Sequence, residues 1–125
     1  MGDPFNASSP IYLQLCERIK NKMVRGEIRP GDRLPSVRDF AIDSGVNPNT
    51  VQHAYRALEE TGIVEKRRGQ GTFVTEDREI LQRMRSGLRS RHISAFVQEM
   101  SAMGCSEAEM LEGIRQFFKT KGEQL

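Results

Sequence analysis

A chain of 125 residues with a hydrophobic fraction of 37% can build one or two small cores and no more. Its formal net charge of +2 is too small to mark a nucleic-acid binder by total charge, so such a role has to rest on local clustering. No apolar run reaches the roughly 18 residues of a membrane span, no basic-then-apolar leader opens the sequence, Asn6 stands where a myristoylation signal takes Ser or Thr, and Cys16 and Cys105 are isolated, as expected in a reducing cytoplasm. The charge is unevenly spread: residues 1–75 hold 11 Lys/Arg against 9 Asp/Glu, and residues 76–125 hold 8 against 8, so the excess lies in the first part.

Residues 1–8 show no periodicity and are expected to form a loose arm. Ser9 is placed as the cap of a first helix with Pro10 in its first turn, and Tyr12, Leu15, Ile19 and Met23 recur at helical spacing as its buried stripe. Glu17, Arg18, Lys20 and Lys22 occupy the solvated face, and Gly26 ends the helix. Pro30-Gly31-Asp32 reads as a turn, after which Leu34 is placed in a short third strand beside a later hairpin. Ser36 caps a second helix, with Asp39 three residues on as a shortened capping box, and Val37, Phe40 and Ala41 form its buried side. Gly45 supplies the tight turn to the next helix.

Asn47 caps that third helix and Pro48 fits its first turn, where the missing N–H costs nothing. Val51, Ala54, Tyr55 and Leu58 make one apolar stripe, while Asn49, Gln52, His53 and Arg56 make the other face. Gly62 stops the helix. Residues 63–67 and 72–75 are strand-like and are joined across Arg68-Gly69-Gln70-Gly71, with Lys66-Arg67-Arg68 concentrating the positive charge there. Glycines at such a tip let the backbone approach another molecule closely.

Beyond Thr75, Ile80, Leu81, Met84 and Leu88 form one helical stripe, and Phe96, Val97 and Met100 form another. Arg83, Arg85, Arg89 and Arg91 crowd the intervening faces and read as a solvated face. Gly104 closes this stretch, and Ser106 with Glu109 is a capping box for a last helix bearing Met110, Leu111, Ile114, Phe117 and Phe118. Two amphipathic helices cannot bury both apolar stripes against each other, so a second copy is the expected partner, through Leu88, Phe96, Met100, Ile114, Phe117 and Phe118.

A helix with an amide-rich face running into a basic hairpin describes a winged helix-turn-helix. Leu34-Pro-Ser-Val-Arg38, Asn47-Pro-Asn-Thr-Val-Gln-x-Ala-Tyr55, Leu58-Glu59 and Arg68-Gly-Gln-Gly-Thr-Phe-Val74 stand in the order in which they resemble the DNA-binding domain of the GntR family of bacterial transcription regulators. Pro10-Ile-Tyr-x-Gln14 is similar to the family's first helix, and the Asn-x-Asn-Thr-Val wording is most similar to its YtrA-like branch. The expected fold is therefore mainly α with a small β hairpin: a winged helix-turn-helix over residues 1–75, then a two-helix dimerisation tail over residues 76–125. The resemblance implies a cytoplasmic, homodimeric repressor of a transporter-type operon.

In such a domain the second helix crosses the backbone of double-stranded DNA and the third enters the major groove of a two-fold symmetric operator. Asn49 and Gln52 have the amides to pair with adenine edges, Thr50 suits a phosphate or a thymine methyl, and Arg38 can reach a phosphate or guanine. Asn47 and His53 complete the helix-borne set. Pro48 and Gln52 stand where many relatives carry arginine, which shifts base reading toward Arg38 and the amides. Arg68, Gly69 and Gln70 form a tip suited to the minor groove, and Ser36, Thr72 and, more weakly, Tyr12 are phosphate candidates. His53 and His92 lie too far apart for a metal site, no cofactor is expected, and no nucleophile with its base or phosphate loop suggests an enzyme. The tail is too short to enclose a metabolite, which leaves the dimer interface as the place for any small effector. A non-specific architectural DNA-binding protein is the alternative, disfavoured by low net charge and abundant base-reading amides.

Overall fold

The computed structural model describes Phe5 and residues 9–124, so the loose arm expected over residues 1–8 lies, Phe5 apart, outside the described residues. Among the described residues the elements run α1 (Ile11–Val24), α2 (Val37–Ser44), α3 (Pro48–Glu60), β1 (Val64–Arg67), β2 (Gly71–Val74), α4 (Arg78–Ala102) and α5 (Glu107–Gln124). The chain divides within α4 into two compact units, one ending at Arg85 and the other beginning at Ser86.

The first unit is assembled around α3. Val51, Ala54, Tyr55 and Leu58 are its buried face, and Val51 and Ala54 are fully covered. Burial of each larger aliphatic chain contributes roughly 1.5–3 kcal/mol. α1 supplies Leu15, Cys16, Ile19 and Met23 to this core, and the Cys16 thiol donates to the Ala54 carbonyl at 3.4 Å. Burial pushes the Cys16 thiol up, against the opposing pull of Lys20. Phe5 is half-buried against the same core, with the Arg18 guanidinium 3.9 Å from its ring centroid.

The start of α1 departs from the expectation. Pro10, not Ser9, is the N-cap, and no side chain caps the helix. Pro10 carries an extended ψ of 143°, and its carbonyl accepts from the Leu13 and Gln14 N–H groups. The Ser9 carbonyl instead accepts from Gln14 Nε2 at 2.7 Å. α2 begins as expected, with Ser36 Oγ accepting from the Asp39 N–H at 3.1 Å, and ends at Gly45 in the left-handed region.

Strands β1 and β2 pair antiparallel, with Val64 opposite Val74 and Arg67 opposite Gly71. The third strand expected at Leu34 is reduced to one bridge, between Arg33 and Phe73. Leu34 donates its N–H to the Thr72 carbonyl at 2.7 Å and buries its side chain, but Pro35 follows and cannot extend the ladder. Thr75 is buried; its N–H reaches the Ile63 carbonyl at 2.9 Å and its hydroxyl accepts from the Asp77 N–H at 3.1 Å. Asp77 then caps α4, accepting from the Glu79 N–H at 3.0 Å. Ile80, Leu81 and Met84 pack half-buried on the core, which is why the first two turns of α4 belong to this unit.

The second unit holds the rest of α4 and α5. Ser106 and Glu109 form a reciprocal capping box, with bonds of 3.1 and 3.2 Å. Leu88 and Met110 are its buried apolar side chains among the described residues, and Phe96 and Met100 are half-buried. Phe117 and Phe118 are each 64% exposed and meet edge to face, and Leu111 and Ile114 are exposed beside them on α5.

Tyr55 gives the first unit a testable signature. Its hydroxyl donates to the Pro35 carbonyl at 2.7 Å, and its ring lies edge-on to Phe40. Tyr55→Phe leaves that carbonyl unpaired and is expected to cost about 1–2 kcal/mol in urea unfolding at neutral pH. Burial also raises the phenol above its ordinary value of 10.0, so the neutral form is favoured by folding. That contribution is complete below the unfolded value and is lost as pH rises from there toward the folded one. Wild-type stability should therefore fall more steeply than that of Tyr55→Phe above pH 10.0. Equal slopes in alkaline unfolding series would contradict this.

Candidate nucleic-acid interface

The outward face of α3 is fixed from its first turn. Asn47 Oδ1 accepts from the Asn49 N–H at 2.8 Å, and Pro48 follows at the first helical position. The cap commits the Asn47 carbonyl oxygen and leaves its amide nitrogen as a donor. Asn49, Gln52 and His53 are exposed, and Thr50 is half-buried. Asn49, Gln52, His53 and Arg56 line one shallow concavity along the helix. Arg56 was absent from the expected reading set, although its place four residues after Gln52 marks it as a neighbour on the same face.

A second hollow joins this face to the hairpin. It is lined by Val37, Gln52, Tyr55, Arg56, Glu59, Lys66 and Thr72, so Gln52 and Arg56 belong to both concavities. The structure thus brings the expected Gln52 and Thr72 together. Arg38 is exposed in the first turn of α2, outside both hollows, and the Ser36 hydroxyl oxygen is engaged in its cap. His53 is covered on one side by Tyr12 of α1, the two rings stacking at 3.7 Å between centroids and 11° between planes.

The three cations of the hairpin are not equivalent. Arg67 lies over the Phe73 ring at 4.2 Å and approaches Glu65 at 3.9 Å, so it braces the hairpin itself. Lys66 and Arg68 are exposed. The turn comprises Arg68, Gly69 and Gln70, all exposed, and is closed by the Gln70 N–H on the Arg67 carbonyl at 2.9 Å. Gly69 has φ 74° with nothing near the place of a Cβ. At Gly71 a Cβ would sit 2.7 Å from Arg33 Nε, so this glycine is what lets the Arg33 side chain lie against the turn end of the hairpin. Arg33 was also missed, because only the Arg33–Phe73 bridge brings it there.

Two short helices joined by a glycine turn, the second with an amide-rich outer face and a basic β hairpin alongside, define a winged helix-turn-helix DNA-binding protein. The chain belongs to the GntR family: the model of bacterial regulatory proteins, gntR family, matches residues 11–74. It is 48% identical over 117 residues to the HTH-type transcriptional regulator YhcF of Bacillus subtilis, covering 94% of this chain and 97% of that one. It is 47% identical over 75 residues to the HTH-type transcriptional repressor YtrA of the same organism, covering 60% of this chain and 57% of YtrA. A GntR family transcriptional regulator from Listeria monocytogenes superposes with a TM-score of 0.84 at 35% identity, over 90% of this chain and 98% of that one. The protein is a DNA-binding transcriptional regulator of the GntR family. No helix among the described residues is long and apolar enough to cross a membrane.

The open space around Gly69 isolates a backbone effect. Gly69→Val meets no neighbour, yet a β-branched residue at φ 74° is strained by about 1–2 kcal/mol. The variant is expected to stay folded by circular dichroism while its turn shifts and its DNA affinity drops in a gel-shift assay. Unchanged affinity in the folded variant would mean that the tip takes no part in binding.

Proposed function

We propose that the protein is a cytoplasmic, dimeric repressor that reads a two-fold symmetric operator, in a transporter-type operon as the YtrA-like resemblance suggests. The observation that carries this reading is the continuity of the α3 face with the hairpin through Gln52 and Arg56. A surface of that form lets one side chain set serve both base edges and the adjacent backbone. Asn49 and Gln52 act as base readers, with Arg38 on a guanine edge or a phosphate. Asn47, Thr50, Ser36 and Thr72 serve phosphates, His53 and Arg56 extend the α3 contact, and Arg68, Gly69 and Gln70 enter the minor groove. Lys66 contributes charge without sequence information.

Dimerisation through the tail is supported by the exposed apolar row Leu111, Ile114, Phe117 and Phe118 on α5. Phe96 and Met100, half-buried, would be covered further in such a dimer, whereas Leu88 is already buried and would act by shaping the unit. Any small effector would act at that interface.

Two measurements separate the parts of this reading. Gln52→Ala is expected to cost about 1–3 kcal/mol on a duplex selected by the wild-type protein and to relax preference at one base pair. Lys66→Ala should weaken selected and scrambled DNA alike and reduce the salt slope by about one. Equal losses on both DNAs for Gln52→Ala would remove it from the base readers. Phe117→Asp places a charge at an exposed apolar position and should yield monomers in sedimentation velocity, with half-site affinity kept and full-site affinity lost. A dimeric Phe117→Asp protein would place the interface elsewhere.

A further inference from the structure

The stack between Tyr12 and His53 joins two helices at the edge of the α3 concavity. The rings are 3.7 Å apart and nearly parallel, at 11°. His53 is exposed and lines the hollow with Asn49, Gln52 and Arg56, while Tyr12 is half-buried and packs on the core. One partner of the stack is therefore anchored and the other lies on the DNA-facing surface.

An exposed histidine on a helix ordinarily rotates freely about its second side-chain torsion. Contact with the fixed phenol face removes that freedom, since only ring planes near that of Tyr12 preserve the contact. The plane of the imidazole is then held before any ligand arrives, and only its two flipped settings remain open. We propose that Tyr12 of α1 is a positioning residue for DNA recognition, acting by holding the His53 ring so that an imidazole nitrogen contacts the duplex beside the site of Gln52. This rests on the proposed α3 reading and adds α1 to the elements that determine it. The Tyr12 hydroxyl plays no part, because a stack uses the ring face alone. Freezing one exposed side chain in advance changes affinity by about three- to tenfold.

The test uses the full-length protein and a duplex selected by it from a random pool, with scrambled DNA as control. Preference of the wild type for the selected duplex is measured first, and its absence would overturn the parent reading rather than this one. Tyr12→Phe keeps the stack and should bind the selected duplex within twofold of wild type. Tyr12→Leu should lose about three- to tenfold there, as should His53→Ala, and the double variant should be no weaker than the worse single. On scrambled DNA the losses of Tyr12→Leu and of His53→Ala should again match each other. A loss for Tyr12→Phe equal to that for Tyr12→Leu would show a hydroxyl contact and overturn the proposal, as would additive losses in the double variant. His53→Phe covers the case in which Tyr12→Leu unfolds, since it leaves α1 untouched and retains a ring for the stack. It should match the loss of His53→Ala, and wild-type affinity in His53→Phe would overturn the proposal.

Discussion

The hydrogen bond from the Tyr55 hydroxyl to the Pro35 carbonyl, at 2.7 Å, connects α3 to the segment that launches α2. It works with the fully covered Val51 and Ala54 and the nearly covered Leu58, which seat α3 against α1 and the hairpin. The turn of α3 is set by these contacts, and with it the direction of every outward side chain. Asn49, Gln52, His53 and Arg56 face one hollow because Val51, Ala54, Tyr55 and Leu58 face the core. A buried phenol with an unpaired hydroxyl would be costly, so the bond to Pro35 adds a tie to α3 for a segment that Leu34 already bonds to β2.

The positive charge acts in the same local way. A net charge of +2 gives little attraction to DNA, but Arg38, Arg56, Lys66 and Arg68 are exposed on the helix-turn-helix and hairpin. Arg67 is engaged with the Phe73 ring and lies near Glu65, so this cation braces the hairpin that presents the others. Weak overall charge with a structured cluster favours discrimination among duplexes over indiscriminate adhesion.

Much of this was legible in the sequence where local chemistry decides. The caps at Ser36, Asn47 and Ser106 formed as their residue types require, and the α3 stripe was buried residue for residue. Ser9 was misread because proline accepts either the capping or the first helical position, and local pattern does not choose between them. Leu34 met a strand partner but not a strand, since Pro35 limits pairing to one bridge. The place of Arg33, the meeting of Arg56 with the hairpin residues, and the stack of Tyr12 on His53 depend on how separate elements meet, which spacing along one helix does not encode.

The central claim is that α3 occupies the major groove of each half-site while the hairpin tip enters the neighbouring minor groove. Dimethyl sulfate footprinting on a selected duplex reads both at once, since guanine N7 faces the major groove and adenine N3 the minor. The account predicts two blocks of N7 protection separated by about one helical turn or a multiple of it, each flanked by N3 protection. Binding that leaves N7 accessible throughout the site would contradict it.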